Sequence, residues 1–176
     1  MTSRIRTLGV PTAVAMAIAL ACNDGPAEPR NDLPGIPIGS GSTMHGDIQY
    51  AATLRVMESF PVQIAADVTV TNHRDEAVRI VFPDGCVALL RAYAVDGNDP
   101  VWDQGQDFAC TLALVSIDLE PGASKSYTTP TSSARDILGD TLPDASYRIE
   151  AYLRPDDDVV TIDTGTVELA IPRETR

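Results

Sequence analysis

The chain has 176 residues, 13 of them Lys or Arg and 25 Asp or Glu, for a formal net charge of −12 and a pI near 4.3. That length suits one domain, and an acidic chain with Lys125 as its sole lysine and scattered arginines lacks the basic patch that DNA or RNA requires, so no nucleic-acid partner is expected. Hydrophobic residues at 44% argue against a disordered acidic tail, while two histidines and three cysteines leave few residues for zinc sites or Cys-His pairs.

Taken in chain order, Arg4 and Arg6 precede an apolar run over 10–21 broken only by Pro11 and Thr12, the pattern of a secretory signal. The run is too short to span a bilayer comfortably. It ends in Ala19, Leu20, Ala21 and Cys22, which resembles a bacterial lipobox with its leucine displaced by one place. In that motif cleavage falls just before a cysteine whose thiol receives a diacylglycerol. The resemblance implies a signal peptide over 1–21 and a lipidated Cys22 that anchors the protein in the bacterial cell envelope, periplasmic or surface-exposed. The alternative is an ordinary signal peptide cut at the same place, leaving Cys22 as an odd free thiol. Either cleavage leaves 11 basic residues against 25 acids, a net charge of −14. Lipid chains, at about 0.8 kcal/mol per buried methylene, rather than attraction to anionic headgroups would then hold the protein at its membrane.

From 23 to 43, eight of 21 residues are Gly or Pro, and a flexible tether over 22–43 is predicted. At about 3 Å per residue in an extended state it could hold a domain on the order of 60 Å from its anchor.

From residue 44 onward an all-β domain is predicted. Ile48, Tyr50, Ala52, Leu54 and Val56 alternate with Gln49, Thr53 and Arg55, as a half-buried strand requires. The segment 62–71 repeats this with Val62, Ile64, Ala66, Val68 and Val70 inward, the turn 72–76 reverses the chain, and Val78, Ile80 and Phe82 follow. Further strands are expected at 86–95, 113–119, 124–129, 147–154, 159–162 and 166–171, separated by turn signals at 96–100, 120–122, 155–158 and Gly165. The only helix candidate is 132–138, with Ser133 placed to cap it. An immunoglobulin-like antiparallel β-sandwich of about seven to nine strands accounts for this spacing.

Several of these positions together resemble the BsuPI family, named for an intracellular proteinase inhibitor. They are the run from Val68 to Asn72, Val78 through Phe82, Gly85, then Val95, Asp96 and Gly97, Val101 with Trp102, Phe108, the run from Leu119 to Gly122, and Tyr147. The likeness covers about residues 60–155 and rests on turn and core positions rather than a chemical motif. It implies a protein-binding role, with a protease as partner. No reactive-loop residue carries over, and the export signal departs from the family's cytosolic setting. Each matched residue also has a structural use. Asn72 can bond its own turn, Gly97 can supply a positive φ, Pro121 and Gly122 suit a type II turn, Trp102 and Phe108 can plug the core, and Tyr147 can tether a loop as in a tyrosine corner.

Catalytic constellations are absent from the sequence: no Gly-x-Ser-x-Gly elbow accompanies His45 or His73, and His73 falls in a polar turn. The acids at 156–158 and at Asp96, Asp99 and Asp103 do not match a calcium loop, so neither metal nor cofactor is expected. Lipidation of Cys22 would leave Cys86 and Cys110 as two cysteines in an exported domain, which predicts a disulfide between them; two buried reduced thiols are the alternative. The loop between those cysteines, with Asp96, Asp99, Trp102, Asp103 and Asp107, is the candidate binding loop, facing an exported protease or another envelope protein. Its alternative role is to cover an open end of the core with Trp102 inward. Non-enzymatic protein binding is therefore the expected function, and a structural envelope domain the other.

Overall fold

The computed structural model describes residues 35–59 and 61–171. The expected signal peptide, Cys22 and the first part of the expected tether lie outside the described residues. Three antiparallel sheets are built from β1 (Ile36–His45), β2 (Ile48–Met57), β3 (Gln63–Asn72), β4 (Val78–Phe82), β5 (Leu89–Ala94), β6 (Pro100–Asp103), β7 (Val115–Leu119), β8 (Ser124–Thr128), β9 (Ser132–Ser133), β10 (Ala145–Leu153) and β11 (Val160–Leu169). The first sheet runs β1-β2-β3-β8, with β9 also on β3. The second runs β11-β10-β5-β6, and β4 pairs with β7 in a third. The protein is an all-β antiparallel sandwich.

The alternation read from the sequence decides which faces meet. Ile48, Tyr50, Ala52 and Leu54 of β2 and Ile64, Ala66, Val68 and Val70 of β3 are buried, and they pack in one core with Leu90 and Ala92 of β5, Ile149, Ala151 and Leu153 of β10, and Ile80 and Phe82 of β4. With so few aromatics, the driving force is the burial of many aliphatic side chains at about 1.5–3 kcal/mol each.

Among the described residues there are eleven strands rather than seven to nine. Residues 36–43, expected in the tether, belong to β1, which pairs with β2 from Ile36↔Val56 to His45↔Ile48. Gly39 and Gly41, which suggested a tether, serve close packing instead. A Cβ on Gly39 would sit 1.9 Å from the Thr164 carbonyl oxygen, and one on Gly41 2.0 Å from that of Asp163. Only a strand without side chains at these points can lay its backbone against β11. Pro37 is tolerated because β1 is an edge strand and its register shifts between Pro37 and Gly39. The two strands expected at 159–162 and 166–171 are one, β11, in which Gly165 with φ +98° marks a bulge opposite Ile149 rather than a turn. The short β6 and β9 were not anticipated.

Local chemistry is as the sequence indicates. The helix α2 (Ala134–Leu138) starts at Ser133, whose hydroxyl accepts from the Asp136 N–H at 3.2 Å while the Asp136 carboxylate accepts from the Ser133 N–H at 2.8 Å, a capping box. Gly122, at φ +73°, takes the third place of a turn closed from Ala123 N–H to the Glu120 carbonyl at 2.9 Å. Asn72 is fully buried; its amide donates to the Glu76 and Leu119 carbonyls at 2.8 and 3.0 Å, and its side-chain oxygen accepts from Arg74 N–H at 2.9 Å. The Tyr147 hydroxyl donates to the Pro143 carbonyl at 2.7 Å, the tether expected of a tyrosine corner. Gly97, by contrast, closes its turn onto the Ala94 carbonyl at 2.8 Å without a positive φ.

Candidate functional site

The acidic segment 96–107 is largely committed to the fold. Asp96 and Asp99 are exposed in the turn between β5 and β6. Trp102, only 8% exposed, points inward from β6 and donates its Nε1–H to the Asp107 carboxylate at 2.6 Å. Asp103 accepts from Arg91 Nε at 2.9 Å, from the Tyr152 hydroxyl at 2.7 Å and from the Gly105 N–H at 2.9 Å, and so caps the short helix α1 (Gln104–Asp107). The Arg91 guanidinium lies 4.0 Å from the Tyr152 ring centroid. Burial alone would raise the Asp103 carboxyl, but the Tyr152, Arg91 and Gly105 hydrogen bonds outweigh it and hold it below the ordinary aspartate value. Burial, with the Asp103 hydrogen bond and charge, drives the Tyr152 hydroxyl well up.

Beneath this segment Gln104 is fully buried and satisfied. Its Oε1 accepts from Leu90 N–H at 3.0 Å, and its amide donates to the Pro130 carbonyl at 2.7 Å and to Ser132 Oγ at 2.8 Å. These bonds tie α1 to β5 and β9, so the candidate loop is an anchored part of the sandwich. Of its named residues only Asp96 and Asp99 stand free of such internal bonds among the described residues.

Immediately after α1 the character of the chain inverts. Phe108, expected in the core, is 45% exposed, and Leu112 and Leu114 are 95% and 72% exposed. Phe108 sits outside because its N–H closes α1 onto the Gln104 carbonyl at 2.9 Å and the chain then leaves in an extended conformation. The expected strand at 113–119 begins only at Val115, so Leu112 and Leu114 belong to an irregular loop over 108–114.

Three attachments position that loop. The disulfide joins Cys86 to Cys110 with their Cα atoms 5.4 Å apart. One residue on each side of it, the Gly85 N–H donates to the Thr111 carbonyl at 3.0 Å, and a Cβ at Gly85 would meet Thr111 Oγ1 at 2.2 Å, so only glycine admits this approach. Asp84 then fixes the turn, accepting from Cys86 N–H at 2.9 Å and pairing with Arg154. The ligand atoms of Asp84, Cys86 and Cys110 lie within 4.8 Å of one another. That donor set is unsuited to an ion, since both sulfurs are spent in the disulfide and the carboxylate is paired.

Beside the disulfide is a cavity of about 480 Å³, lined among others by Val87, Phe108, Val115, Tyr127 and Pro130. The Tyr127 ring meets Phe82 edge-on with centroids 6.2 Å apart. Its hydroxyl is buried with no hydrogen-bond partner among the described residues, and burial raises its pKa. Neither Leu112, Leu114 nor Tyr127 was singled out in the sequence. Leu114 could have been, because the alternation that places Val115, Ile117 and Leu119 inward turns Leu114 outward.

The histidines are surface residues: His45 lies 3.3 Å from Asp158, and His73 hydrogen-bonds Gln49 at 3.1 Å. Asp156, at φ +49°, accepts from the Val81 N–H at 3.1 Å and so covers part of the β4 edge.

The fold and this site define a β-sandwich that bears an apolar, disulfide-pinned loop. No family model matches the chain, and no curated protein matches it.

Proposed function

We propose that the chain is a non-enzymatic protein-binding module of the bacterial envelope, held at a membrane by lipid on Cys22, whose loop 108–114 contacts a protein partner. The observation that carries this reading is the exposure of Phe108, Leu112 and Leu114 on one short loop that a disulfide and a backbone hydrogen bond hold in place. Apolar side chains so displayed are what a partner surface desolvates, and a pre-ordered loop lowers the entropic cost of binding. Binding rather than catalysis is favoured because the Asp103 carboxylate of this region spends its hydrogen bonds on Arg91, Tyr152 and Gly105. An exported protease is the partner that the BsuPI resemblance suggests.

Two measurements test the reading. Mass spectrometry of the native protein should show a mature chain that begins at an acylated Cys22; an unmodified chain that starts elsewhere contradicts the anchor. The full-length protein should inhibit a member of a serine-protease panel or retain one stoichiometric envelope protein, and Leu112→Asp with Leu114→Asp should abolish it. Many weak partners, indifferent to that double substitution, favour a structural envelope domain.

A further inference from the structure

We infer that the Cys86–Cys110 disulfide is a reducible latch: a dithiol reductant opens it by attack at Cys110, and the opened form releases loop 108–114 while the sandwich stays folded. The inference deepens the reading of that loop as the contact surface and rests on it for its consequence. Location separates this bond from one that staples a core. Neither cysteine belongs to the buried cluster, and each is half-buried. Both line the cavity of about 480 Å³, which leaves room for a thiol beside the bond. Cys110 is the accessible end, because Ala109 and Thr111 on either side of it are exposed, whereas Cys86 is followed by the buried Val87 and Ala88. The Asp84 carboxylate lies within 4.8 Å of both sulfurs, but its pairing with Arg154 offsets the charge that would repel an incoming thiolate. Disulfides so placed are the ones that exchange readily.

The same placement makes the loop depend on the bond. From Phe108 to Leu114 every residue except Cys110 is exposed, so no buried side chain holds the segment. Apart from the disulfide, the middle of the loop is held by the Gly85 N–H bond to the Thr111 carbonyl at 3.0 Å, and one such bond falls short of the entropy lost in ordering the run. The ends are held independently. The Phe108 N–H closes α1 onto Gln104, whose side chain is bonded to Leu90, Pro130 and Ser132, and Val115 pairs with Phe82 at the end of the β4–β7 ladder. Opening the bond therefore frees the middle of the loop and leaves both ends in place. In the exchange a reductant thiolate attacks Cys110 Sγ, the S–S bond breaks, and Cys86 leaves as a thiolate that takes up a proton. The reductant's second thiol, deprotonated, then displaces Cys110 from the mixed disulfide, and Cys110 takes up the second proton. Two electrons and two protons pass to the protein, and the dithiol becomes a disulfide.

The test exposes the folded full-length protein to dithiothreitol without denaturant, alkylates free thiols with iodoacetamide, and maps Cys86 and Cys110 by mass spectrometry. Both should be alkylated at a rate that changes by less than about twofold in urea below the unfolding midpoint. An acid quench during exchange with glutathione should trap the mixed disulfide on Cys110. A protein carrying a reduced Cys-x-x-Cys pair, at equal thiol concentration, tells a macromolecular reductant from a small one by which acts faster. The reduced protein should keep its far-ultraviolet circular dichroism, be cleaved by chymotrypsin within 108–114 about tenfold faster than the oxidised form, and regain resistance on reoxidation. Partner capture should fall and return with it. Reduction that needs global unfolding, glutathione trapped on Cys86, a reduced chain that unfolds, or a reduced loop as resistant as the oxidised one would overturn the latch. Capture at parental strength by the reduced protein, while Leu112→Asp with Leu114→Asp still abolishes it, overturns the latch and spares the contact surface. Capture indifferent to both overturns the contact surface, and the alkylation and cleavage results then decide the latch alone.

Discussion

Residues 96–107 and 108–114 are adjacent in the chain and opposite in how they use their side chains. The first segment is acidic and turns its chemistry inward: Trp102 is bonded to Asp107, Asp103 to Arg91 and Tyr152, and Gln104 to the backbone of Leu90 and Pro130. The second is apolar and turns its side chains outward. Polarity alone would assign the roles the other way round. A charged side chain can be indispensable to a fold when its bonds are internal, and a leucine can contribute nothing to it when the backbone holds it in solvent.

The contrast can be broken most severely at the disulfide, which stands at the junction of both segments. Replacing Cys86 and Cys110 by Ser reopens a loop with a sequence separation of 24. It should cost about 3.5 kcal/mol in the chain-entropy model, read as a drop in the urea midpoint. Partner capture should fall as well, because loop 108–114 loses its covalent pin.

Next in size is Asp103→Ala. It removes the acceptor of Arg91, Tyr152 and Gly105 at once and should destabilise the domain by about 1–3 kcal/mol, measured by urea unfolding. The pH dependence sharpens the same point. Because the folded-state value of Asp103 is depressed, its stabilisation is present above the unfolded value of about 3.9 and is lost as pH falls through the folded value. Acid unfolding followed by circular dichroism should therefore show a shallower loss of stability below about pH 4 in Asp103→Asn than in the parent.

A smaller effect is expected from Asp107→Ala, which leaves Trp102 Nε1–H without its partner and should cost about 1 kcal/mol. Tryptophan fluorescence reports it directly, since Trp102 is the single tryptophan of the chain.

Local signals were readable in the sequence. Strand periodicity gave β2, β3 and β4 their faces, Ser133 announced a helix cap, and Pro121 with Gly122 a turn, because each depends on residues a few positions apart. Long-range contacts were not. The tether reading failed at 36–43 because the benefit of Gly39 and Gly41 lies in β11, more than a hundred residues away, and nothing local distinguishes a glycine that is free from one that is crowded. The acids of 96–107 looked like a binding loop for the same reason: Arg91 and Tyr152 reach Asp103 across strand pairs that only the fold creates. The disulfide was legible because the reading of Cys22 as a lipidated residue of an exported protein left one pair of cysteines.

The central claim, that 96–107 carries stability and 108–114 carries recognition, is tested most directly by pairing unfolding and binding on one variant. In the full-length protein, Leu112→Asp with Leu114→Asp should change the unfolding free energy by no more than about 0.5 kcal/mol, as for exposed positions, and abolish retention of the partner. A variant that unfolds several kcal/mol more readily, or one that keeps its partner at parental strength, would contradict the account.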